Sequence, residues 1–238
     1  MIRLRQVEKR YADFQAVHPL DLDVEAGEVF GFLGLNGAGK TTTLRMLAGV
    51  LPPTAGTIEI DGRDLVKNPV EARRRMGFIP DRPYLYDKLT AREFLRFIGD
   101  VYGMAPATLD ERVNAVLAAH ALQDWGDALV ESYSHGMKQR LVLCGALLHE
   151  PRLLIVDEPM VGLDPRGARQ IKETFRTFAA EGRTVFLSTH TLAVAAEVCD
   201  RLAIIHRGRI AVMGTLQEVC ANETLEDVFL RITGSVEA

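Results

Sequence analysis

A glycine-rich stretch directly after an apolar run constrains this chain more than any other feature. Residues 29–33, VFGFL, predict a buried strand, and residues 34–42 continue with GLNGAGKTT. Apolar side chains between Leu44 and Leu51 then recur with the spacing of one helix face. Gly34 and Gly39, with four residues between them, are followed by Lys and Thr and form the P-loop pattern. The sequence therefore predicts a strand, a phosphate-binding loop and a helix in this order.

The chemistry of this loop follows from its residue types. Glycines let the backbone turn tightly, so that amide groups and the positive end of the helix face one phosphate. Lys40 would reach the β- and γ-phosphates, and Thr41 would be a ligand of Mg²⁺. A glycine-rich turn without a ligand is the alternative. The predicted nucleotide-binding residues here are Gly34, Asn36, Gly37, Ala38, Gly39, Lys40, Thr41 and Thr42.

Composition narrows the class of protein. With 238 residues, 47% hydrophobic and 25% charged, the chain fits one domain, or a domain with a subdomain, and disorder is not expected. The net charge of −4 argues against a general nucleic-acid binder, and the three cysteines lack metal-ligand spacing. No apolar run approaches the ~18 residues of a transmembrane helix. We therefore expect a soluble protein that meets a membrane only through a partner.

The order of predicted elements changes along the chain. Strand patterns dominate the first quarter, helical patterns the middle, and strands alternate with helices after Pro151. Such alternation predicts an α/β fold with a mainly parallel sheet, here with an N-terminal antiparallel β subdomain and an inserted α-helical subdomain. The predicted units are a nucleotide-binding core at 1–81 and 151–214, a helical subdomain at 82–150 and a short helical tail at 215–238.

The predicted boundaries of single elements follow from periodicity and capping signals. Strands are expected at 2–7, 20–24, 29–33, 57–60, 77–79, 153–156, 184–187 and 202–205. Helices are expected at 71–76, 90–102, 110–120, 166–181, 192–199, 215–221 and 224–232.

A pair of carboxylates ends one of these strands. Residues 153–159 are LLIVDEP, so Asp157 and Glu158 follow a buried apolar run. Because ligands of parallel α/β sheets bind at the carboxyl ends of strands, these residues should lie near the P-loop. Asp157 would hold Mg²⁺, and Glu158 would polarise the attacking water as general base. Two surface carboxylates in a turn are the alternative.

Further motifs carry a resemblance to a known family. Residues 134–140 are SHGMKQR, residues 162–165 are GLDP, and residues 188–190 are STH. With the P-loop and Asp157–Glu158, they resemble the signature motif, D-loop and switch histidine of ABC transporter nucleotide-binding subunits. The resemblance runs almost end to end. It implies that Tyr11 stacks on adenine and that Ser134 and Gly136 contact the γ-phosphate. It also implies that His190 acts with Glu158 in catalysis and that Asp164 faces a partner subunit.

The resemblance also implies a mechanism and partners. Two such subunits pair head to tail, as a homodimer or a heterodimer, and each ATP lies between one P-loop and the signature helix of the other. Closure on ATP drives an integral membrane permease subunit docked on the helical insertion near Asp81. The chain would then be an ATPase using ATP and Mg²⁺, cytoplasmic and peripheral on the cytoplasmic face of the cell membrane, with no nucleic-acid partner. Residues 224–230, TLEDVFL, resemble the ending of export-type members.

The sequence departs from the family pattern at several positions. Asp81 stands where the family usually has a glutamine that touches Mg²⁺ and the water and senses the membrane subunit. A carboxylate can still ligate the metal, but it cannot donate a hydrogen bond unless it is protonated. His135 replaces a glycine and Met137 a glutamine in the signature motif. The run Arg73–Arg75 favours a solvated helix face over an interaction surface.

Two other functions are compatible with part of these motifs. A non-transport ABC ATPase acting in DNA repair or on the ribosome would share the same motifs. A P-loop kinase would pass phosphate to a small molecule, but it would leave Ser134, Gly136 and His190 unexplained.

Overall fold

Two β-sheets organise the part of the chain that the computed structural model describes, residues 1–81, 84–160 and 164–234. The strands are β1 (Ile2–Tyr11), β2 (Phe14–Val24), β3 (Val29–Leu33), β4 (Ala55–Ile60), β5 (Arg63–Asp64), β6 (Met76–Ile79), β7 (Leu153–Asp157), β8 (Thr184–Thr189), β9 (Arg201–His206) and β10 (Arg209–Thr215). The first sheet has the order β2-β1-β4-β5 with antiparallel pairing, and the second has the order β10-β9-β3-β8-β7-β6.

The helices follow the same chain order. They are α1 (Lys40–Leu47), α2 (Pro69–Arg73), α3 (Ala91–Val101), α4 (Pro106–Ala119), α5 (His135–Leu147), α6 (Pro165–Ala180), α7 (Leu192–Val198), α8 (Leu216–Cys220) and α9 (Leu225–Thr233). Short 3₁₀ turns at Gln123–Trp125 and Val130–Ser132 lead into α5.

The second sheet is parallel except at one edge. Strands β9, β3, β8, β7 and β6 pair in parallel, and β10 pairs antiparallel with β9. Every residue of β3, β7 and β8 is buried, which explains their uninterrupted apolar sequences. The carboxyl ends of β3, β7 and β8 therefore meet at one edge, and the predicted α/β class is confirmed.

Each face of this sheet has its own core. Phe30, Phe32 and Phe186 pack between the two sheets together with α1, with ring centroids 5.5–5.6 Å apart where they contact Phe186. Phe175 and Phe178 of α6 cover the opposite face. Phe186 is completely buried, so its close packing stabilises the position of the sheet that carries the site.

The helical insertion has a separate core. Leu95 of α3, Val113 and Leu117 of α4, and Leu141 and Cys144 of α5 are buried against one another. The capping box predicted at Thr90 and Glu93 is present at the start of α3. The boundaries of the predicted subdomains themselves stay a prediction.

Most predicted elements are present, with shifts at their ends. The helix predicted at 71–76 ends at Arg73, and Met76 already begins β6. Strand β10 has no counterpart among the predicted elements. Arg73 donates to the Gly49 carbonyl and Arg75 pairs with Asp61, so part of the basic run is structural.

Two further sequence expectations concern cysteines and membrane spans. Cys144 is buried, Cys199 and Cys220 are half-buried, and all three are free thiols, as expected. Within the described ranges, no helix combines the length and apolar character needed to cross a bilayer.

Candidate functional site

The P-loop joins β3 to α1, and its backbone requires glycine at two places. Gly39 has φ +108°, and a Cβ there would lie 2.9 Å from the Ala16 carbonyl oxygen. At Gly34 a Cβ would lie 2.5 Å from the Ile205 carbonyl oxygen. Neighbouring backbone approaches both positions so closely that any side chain would force the loop apart.

The start of α1 offers amide groups to an anion. Thr43 N–H donates to the Gly39 carbonyl at 3.0 Å, so the amides of Lys40, Thr41 and Thr42 precede the first bond within the helix. No acidic residue occupies the first turn, and Gly39 supplies no side-chain cap. The positive end of the helix dipole therefore faces the loop without a carboxylate of its own.

Lys40 is held inside the loop. Its Nζ donates to the carbonyls of Gly34 at 2.7 Å and Leu35 at 3.2 Å, and lies 4.0 Å from Glu158 Oε1. Burial lowers the pKa of Lys40, while the carboxylates of Glu158 and Asp157 act in the opposite direction. The ammonium group is thus placed between the P-loop and the carboxylates at the end of β7.

The two carboxylates differ in surroundings. Asp157 is 3% exposed and its Oδ1 accepts a 2.6 Å hydrogen bond from Ser188 Oγ. Glu158 follows with φ +50°, a left-handed conformation that is uncommon for a residue with a side chain. The turn at Glu158 directs its carboxylate toward β8 and away from the line of β7.

Glu158 is bound by consecutive residues at the end of β8. Its Oε1 accepts from the His190 backbone N–H at 3.0 Å and lies 2.7 Å from His190 Nδ1, and its Oε2 accepts from Thr189 Oγ1 at 3.1 Å. His190 is half exposed. Strands β7 and β8 pair in parallel register, so their carboxyl ends lie side by side. The predicted catalytic residues Glu158 and His190, which are 32 positions apart in the sequence, are therefore in contact.

Two aromatic rings border an open cavity of about 280 Å³ beside the P-loop. Tyr11 and Phe14 are paired across the turn between β1 and β2, and both line the cavity with Gly37, Lys40 and Thr41. Tyr11 was predicted from the resemblance, whereas Phe14 was missed. Its exposure of 65% and its place opposite Tyr11 in a hairpin are the signals that identify it.

The predicted signature residues belong to a different part of the fold. Ser134 caps α5, and its Oγ accepts from Met137 N–H at 3.3 Å. Gly136 lies in the first turn of the same helix, within the insertion. Ser134 and Gly136 are thus placed at a second helix N-terminus, distinct from that of α1.

Asp81 lies just beyond β6, the edge strand next to β7. Ile79 pairs with Val156, so the chain leaves β6 on the side where Glu158 leaves β7. Asp81 lines a cavity of about 370 Å³ together with His135 and Lys138 of α5. The structure thus groups Asp81 with the start of the signature helix.

Part of the predicted D-loop lies outside the described residues, namely Gly162 and Leu163. Asp164 is described. It caps α6, with Oδ1 accepting from Gly167 N–H at 2.7 Å.

Comparison with known proteins agrees with this arrangement. The family described as "ABC transporter" matches residues 17–161. The Nod factor export ATP-binding protein I of Cupriavidus metallidurans is 39% identical over 228 residues, which are 96% of this chain and 75% of that protein. The bacitracin transport ATP-binding protein BcrA of Bacillus licheniformis is 41% identical over 211 residues, 88% of this chain and 68% of that protein. A solved ATP-binding subunit of an ABC transporter superposes with a TM-score of 0.90 at 32% identity, covering 98% of this chain and 99% of that one.

These matches define the class of protein. The chain belongs to the ABC transporter family and is an ATP-binding, ATP-hydrolysing subunit of that class. Its nucleotide is ATP, and a membrane permease is its implied partner. The relatives are transport proteins, so the non-transport alternative is not supported.

Proposed function

We propose that this chain drives export, using the P-loop edge as one half of a composite ATP site. The observation that carries the site is the meeting of Lys40, Glu158 and His190. Lys40 Nζ lies 4.0 Å and His190 Nδ1 2.7 Å from the same oxygen of Glu158. A cation, a carboxylate and an imidazole at a phosphate-binding helix end are the groups that phosphoryl transfer to water uses.

Each residue has a distinct role in this proposal. Lys40 and the first amides of α1 bind the phosphates, and Tyr11 stacks on the adenine with Phe14 beside it. Glu158 is the general base that orients and deprotonates the attacking water, and His190 holds Glu158 and contacts the γ-phosphate. The support for a base at Glu158 is that three donors already fix its carboxylate, so its orientation is established before substrate arrives.

The oxygen donors at this edge fit Mg²⁺. Thr41 supplies a hydroxyl in the first turn of α1, and Asp157 supplies a buried carboxylate oriented by Ser188. Hydroxyl and carboxylate oxygens are the ligands that Mg²⁺ prefers. Asp81 is a third candidate donor from the end of β6. When bound, the metal would neutralise charge on the phosphates.

A second subunit completes the site in this proposal. Ser134 and Gly136 lie at the start of α5, in the insertion, and a head-to-tail copy would present them to the γ-phosphate. Two helix N-termini around one phosphate place more positive dipole at the charge that develops during hydrolysis than one can.

An aromatic groove supports a permease contact on the insertion. Phe78 and Tyr84 line a cavity of about 330 Å³ together with Phe97 of α3 and Val142 of α5. Tyr86 meets both Tyr84 and Phe97 edge to face. Asp81 leaves β6 beside this groove, so a permease segment bound here would lie next to the catalytic edge. Binding there would place the chain peripherally on the cytoplasmic face of the membrane.

Export is favoured over import by the relatives and by the tail. One relative is named for Nod factor export, and residues 224–230 resemble the ending of export-type members. This chain's own substrate is set by the permease.

The test is affinity capture of the full-length tagged chain from detergent-solubilised membranes of its own organism, followed by reconstitution of the captured complex. We expect one integral membrane protein to co-purify. ATP should then drive substrate uptake into vesicles whose ATPase subunits face outward, which is the export direction. Recovery with ribosomes or nucleic acid and without a membrane protein would overturn the proposal. Substrate movement out of such vesicles would overturn export alone.

A further inference from the structure

Two turns of the molecule, Asp61–Gly62 and Arg207–Gly208, have the same backbone conformation. The first joins β4 to β5 and the second joins β9 to β10, and each leaves two residues between the paired ends of antiparallel strands. Asp61 and Arg207 both have φ +48°. Gly62 has φ +72° and Gly208 has φ +73°. Positive φ at both central residues is typical of a type I′ turn, so a side chain at either glycine would meet the same backbone strain.

The surroundings of the two glycines differ. Among the described residues, and apart from its chain neighbours, no heavy atom lies within 4 Å of the position that a Cβ would take at Gly62. At Gly208 a Cβ would lie 2.8 Å from the Ala16 carbonyl oxygen and 3.3 Å from Cδ2 of the His18 ring. Both of these residues belong to β2. A side chain at Gly208 would therefore push the turn and this strand apart.

Backbone hydrogen bonds connect Gly208 to the P-loop and to β2. Its N–H donates to the Ala38 carbonyl at 2.9 Å, and its carbonyl accepts from the His18 N–H at 2.9 Å. The next residue adds a side-chain contact, in which Arg209 Nη2 donates to His18 Nδ1 at 2.9 Å. The turn thus bridges the phosphate-binding loop and the neighbouring strand.

The Ala16 carbonyl lies between two glycines. A Cβ at Gly39 of the P-loop would lie 2.9 Å from this oxygen, nearly as close as a Cβ at Gly208. Ala16 is buried and lines the cavity that Tyr11 and Lys40 also line. Strand β2, the P-loop and the turn between β9 and β10 therefore meet at one carbonyl group. Because close-packed atoms transmit a displacement, moving Gly208 would move both the cavity wall and the loop.

We propose that Gly208 is a positioning residue of the ATP site. The turn sets the distance between the cavity wall at Ala16, which faces the adenosine part of the nucleotide, and the P-loop, which binds the phosphates. This role rests on the proposed nucleotide site. Gly208 acts through Ala16 and Ala38 and not by contact with the reacting atoms. Glu158 and His190 follow other strands, so hydrolysis of bound ATP does not depend on the turn.

Binding of two ligands to Gly208→Ala tests this role. Isothermal titration calorimetry of the full-length chain compares ATP with inorganic tripolyphosphate, which has the phosphates without adenosine. We expect ATP to bind about tenfold more weakly or worse, because its two ends no longer fit the wall and the loop at once. Tripolyphosphate affinity should change by less than about threefold, since it needs only the loop. Unchanged ATP affinity, or an equal loss for both ligands, would overturn the proposal.

Steady-state ATP hydrolysis gives an independent readout. In Gly208→Ala the KM for ATP should rise about tenfold while kcat stays within about twofold of wild type. A substitution that only destabilised the fold would reduce the number of active molecules, and so lower kcat with KM unchanged. That result would make Gly208 a purely structural residue and contradict the proposal.

Gly62→Ala is the matched control. It introduces the same side chain at nearly the same φ, and Ile60 pairs with Ile2 at the start of β1, whereas Tyr11 is at the end of that strand. Gly62→Ala should lower the midpoint of thermal unfolding but leave the KM for ATP unchanged. A rise in KM equal to that of Gly208→Ala would show that turn strain alone is responsible, which would overturn the proposal.

Two arginine variants decide the matter if Gly208→Ala does not fold. Arg209→Gln removes the contact with His18 and should raise the KM for ATP about threefold, the expected effect of one hydrogen bond. Arg207→Gln removes the same charge from an exposed position of the same turn and should leave KM unchanged. Equal effects of the two variants, or no effect of Arg209→Gln, would overturn the proposal.

Lys40→Ala distinguishes failure of this role from failure of the proposed site. It removes a group of the P-loop itself and should abolish binding of both ATP and tripolyphosphate. If Lys40→Ala binds ATP like wild type, the proposed nucleotide site is wrong and the role of Gly208 falls with it. If Lys40→Ala loses binding and Gly208→Ala does not, the role of the turn alone is overturned.

Discussion

The helix ends at α1 and α5 are both offered to phosphate in the proposed mechanism, yet they are built differently. At α1 the cap is Gly39, no side chain covers the amides, and Lys40 and Glu158 lie close by. At α5 the hydroxyl of Ser134 already accepts from Met137 N–H. The start of α1 is surrounded by catalytic groups of its own chain. At the start of α5, a backbone N–H group already has a hydrogen-bond acceptor in the Ser134 side chain. This difference is consistent with the proposed roles, in which the start of α1 binds the nucleotide and the start of α5 contacts the γ-phosphate only when a second subunit is bound.

The largest effect should come from Glu158→Gln, which tests the α1 side. The amide keeps the shape of the side chain but cannot accept a proton, so hydrolysis should fall by about 100-fold or more. ATP binding should persist, and the ATP-bound dimer should be stable. Phosphate release and size-exclusion chromatography with ATP measure the two effects. Glu71→Gln, on α2 far from this edge, is the charge-matched control, and near-normal turnover in Glu158→Gln would remove Glu158 from its role.

Ser134→Ala tests the α5 side. Loss of the hydroxyl should reduce dimer hydrolysis by about tenfold, because a γ-phosphate contact worth about 1.4 kcal/mol is lost. ATP binding to the monomer should be unchanged, since the P-loop lies elsewhere. Thr90→Ala removes a cap from α3 in the same insertion and costs about 1 kcal/mol of stability. If both variants lower hydrolysis equally, the effect of Ser134 is on stability and the comparison fails.

His149 follows α5 of the insertion and contacts β6 of the core, so its substitution tests the junction between these two parts of the fold. Its Nε2 lies 3.0 Å from the Met76 carbonyl and its ring stacks on Tyr102, while its Nδ1 is buried without a partner in the described structure. Burial lowers the pKa of His149 from 6.5 to about 4. Because the His149 imidazole takes up a proton more readily in the unfolded chain than in the folded one, protonation favours unfolding. The contribution of neutral His149 to stability is therefore complete above pH 6.5 and is lost as pH falls toward 4.

His149→Phe should therefore reduce the loss of unfolding free energy between pH 6.5 and 4 by about 2.5 kcal/mol. Urea titrations at several pH values measure it. The pKa of His120 is also lowered, so part of the dependence will remain. His206→Gln is the control histidine outside the junction, and an unchanged pH dependence in His149→Phe would exclude this assignment.

Among these substitutions, Asp81→Ala should have the smallest effect on ATP hydrolysis. If Asp81 senses the permease, basal hydrolysis should stay within about twofold of wild type, while transport in the reconstituted complex falls more. Equal loss of both would indicate a metal-binding role. Parallel ATPase and vesicle transport assays distinguish these outcomes.

Much of the fold was predictable because its signals are local. The buried run of β3 was predicted with the same bounds that the structure shows, and the caps at Thr90, Thr215 and Thr224 are all present. Strand β10 was missed because only Gly214 of it is fully buried. The sequence did carry a signal for this strand, because Gly208 stands between the apolar runs at 202–205 and 210–213. In the structure Arg207 and Gly208 both have positive φ and form the tight turn that joins β9 to β10.

The sequence by itself determined the P-loop, the carboxylate pair and the caps, since each depends on the residues' own backbone preferences and near neighbours. Only the tertiary structure decided that Glu158 meets His190 and Lys40, because parallel pairing of β7 and β8 sets which side chains share an edge. Contacts between distant segments depend on packing, which no local pattern specifies.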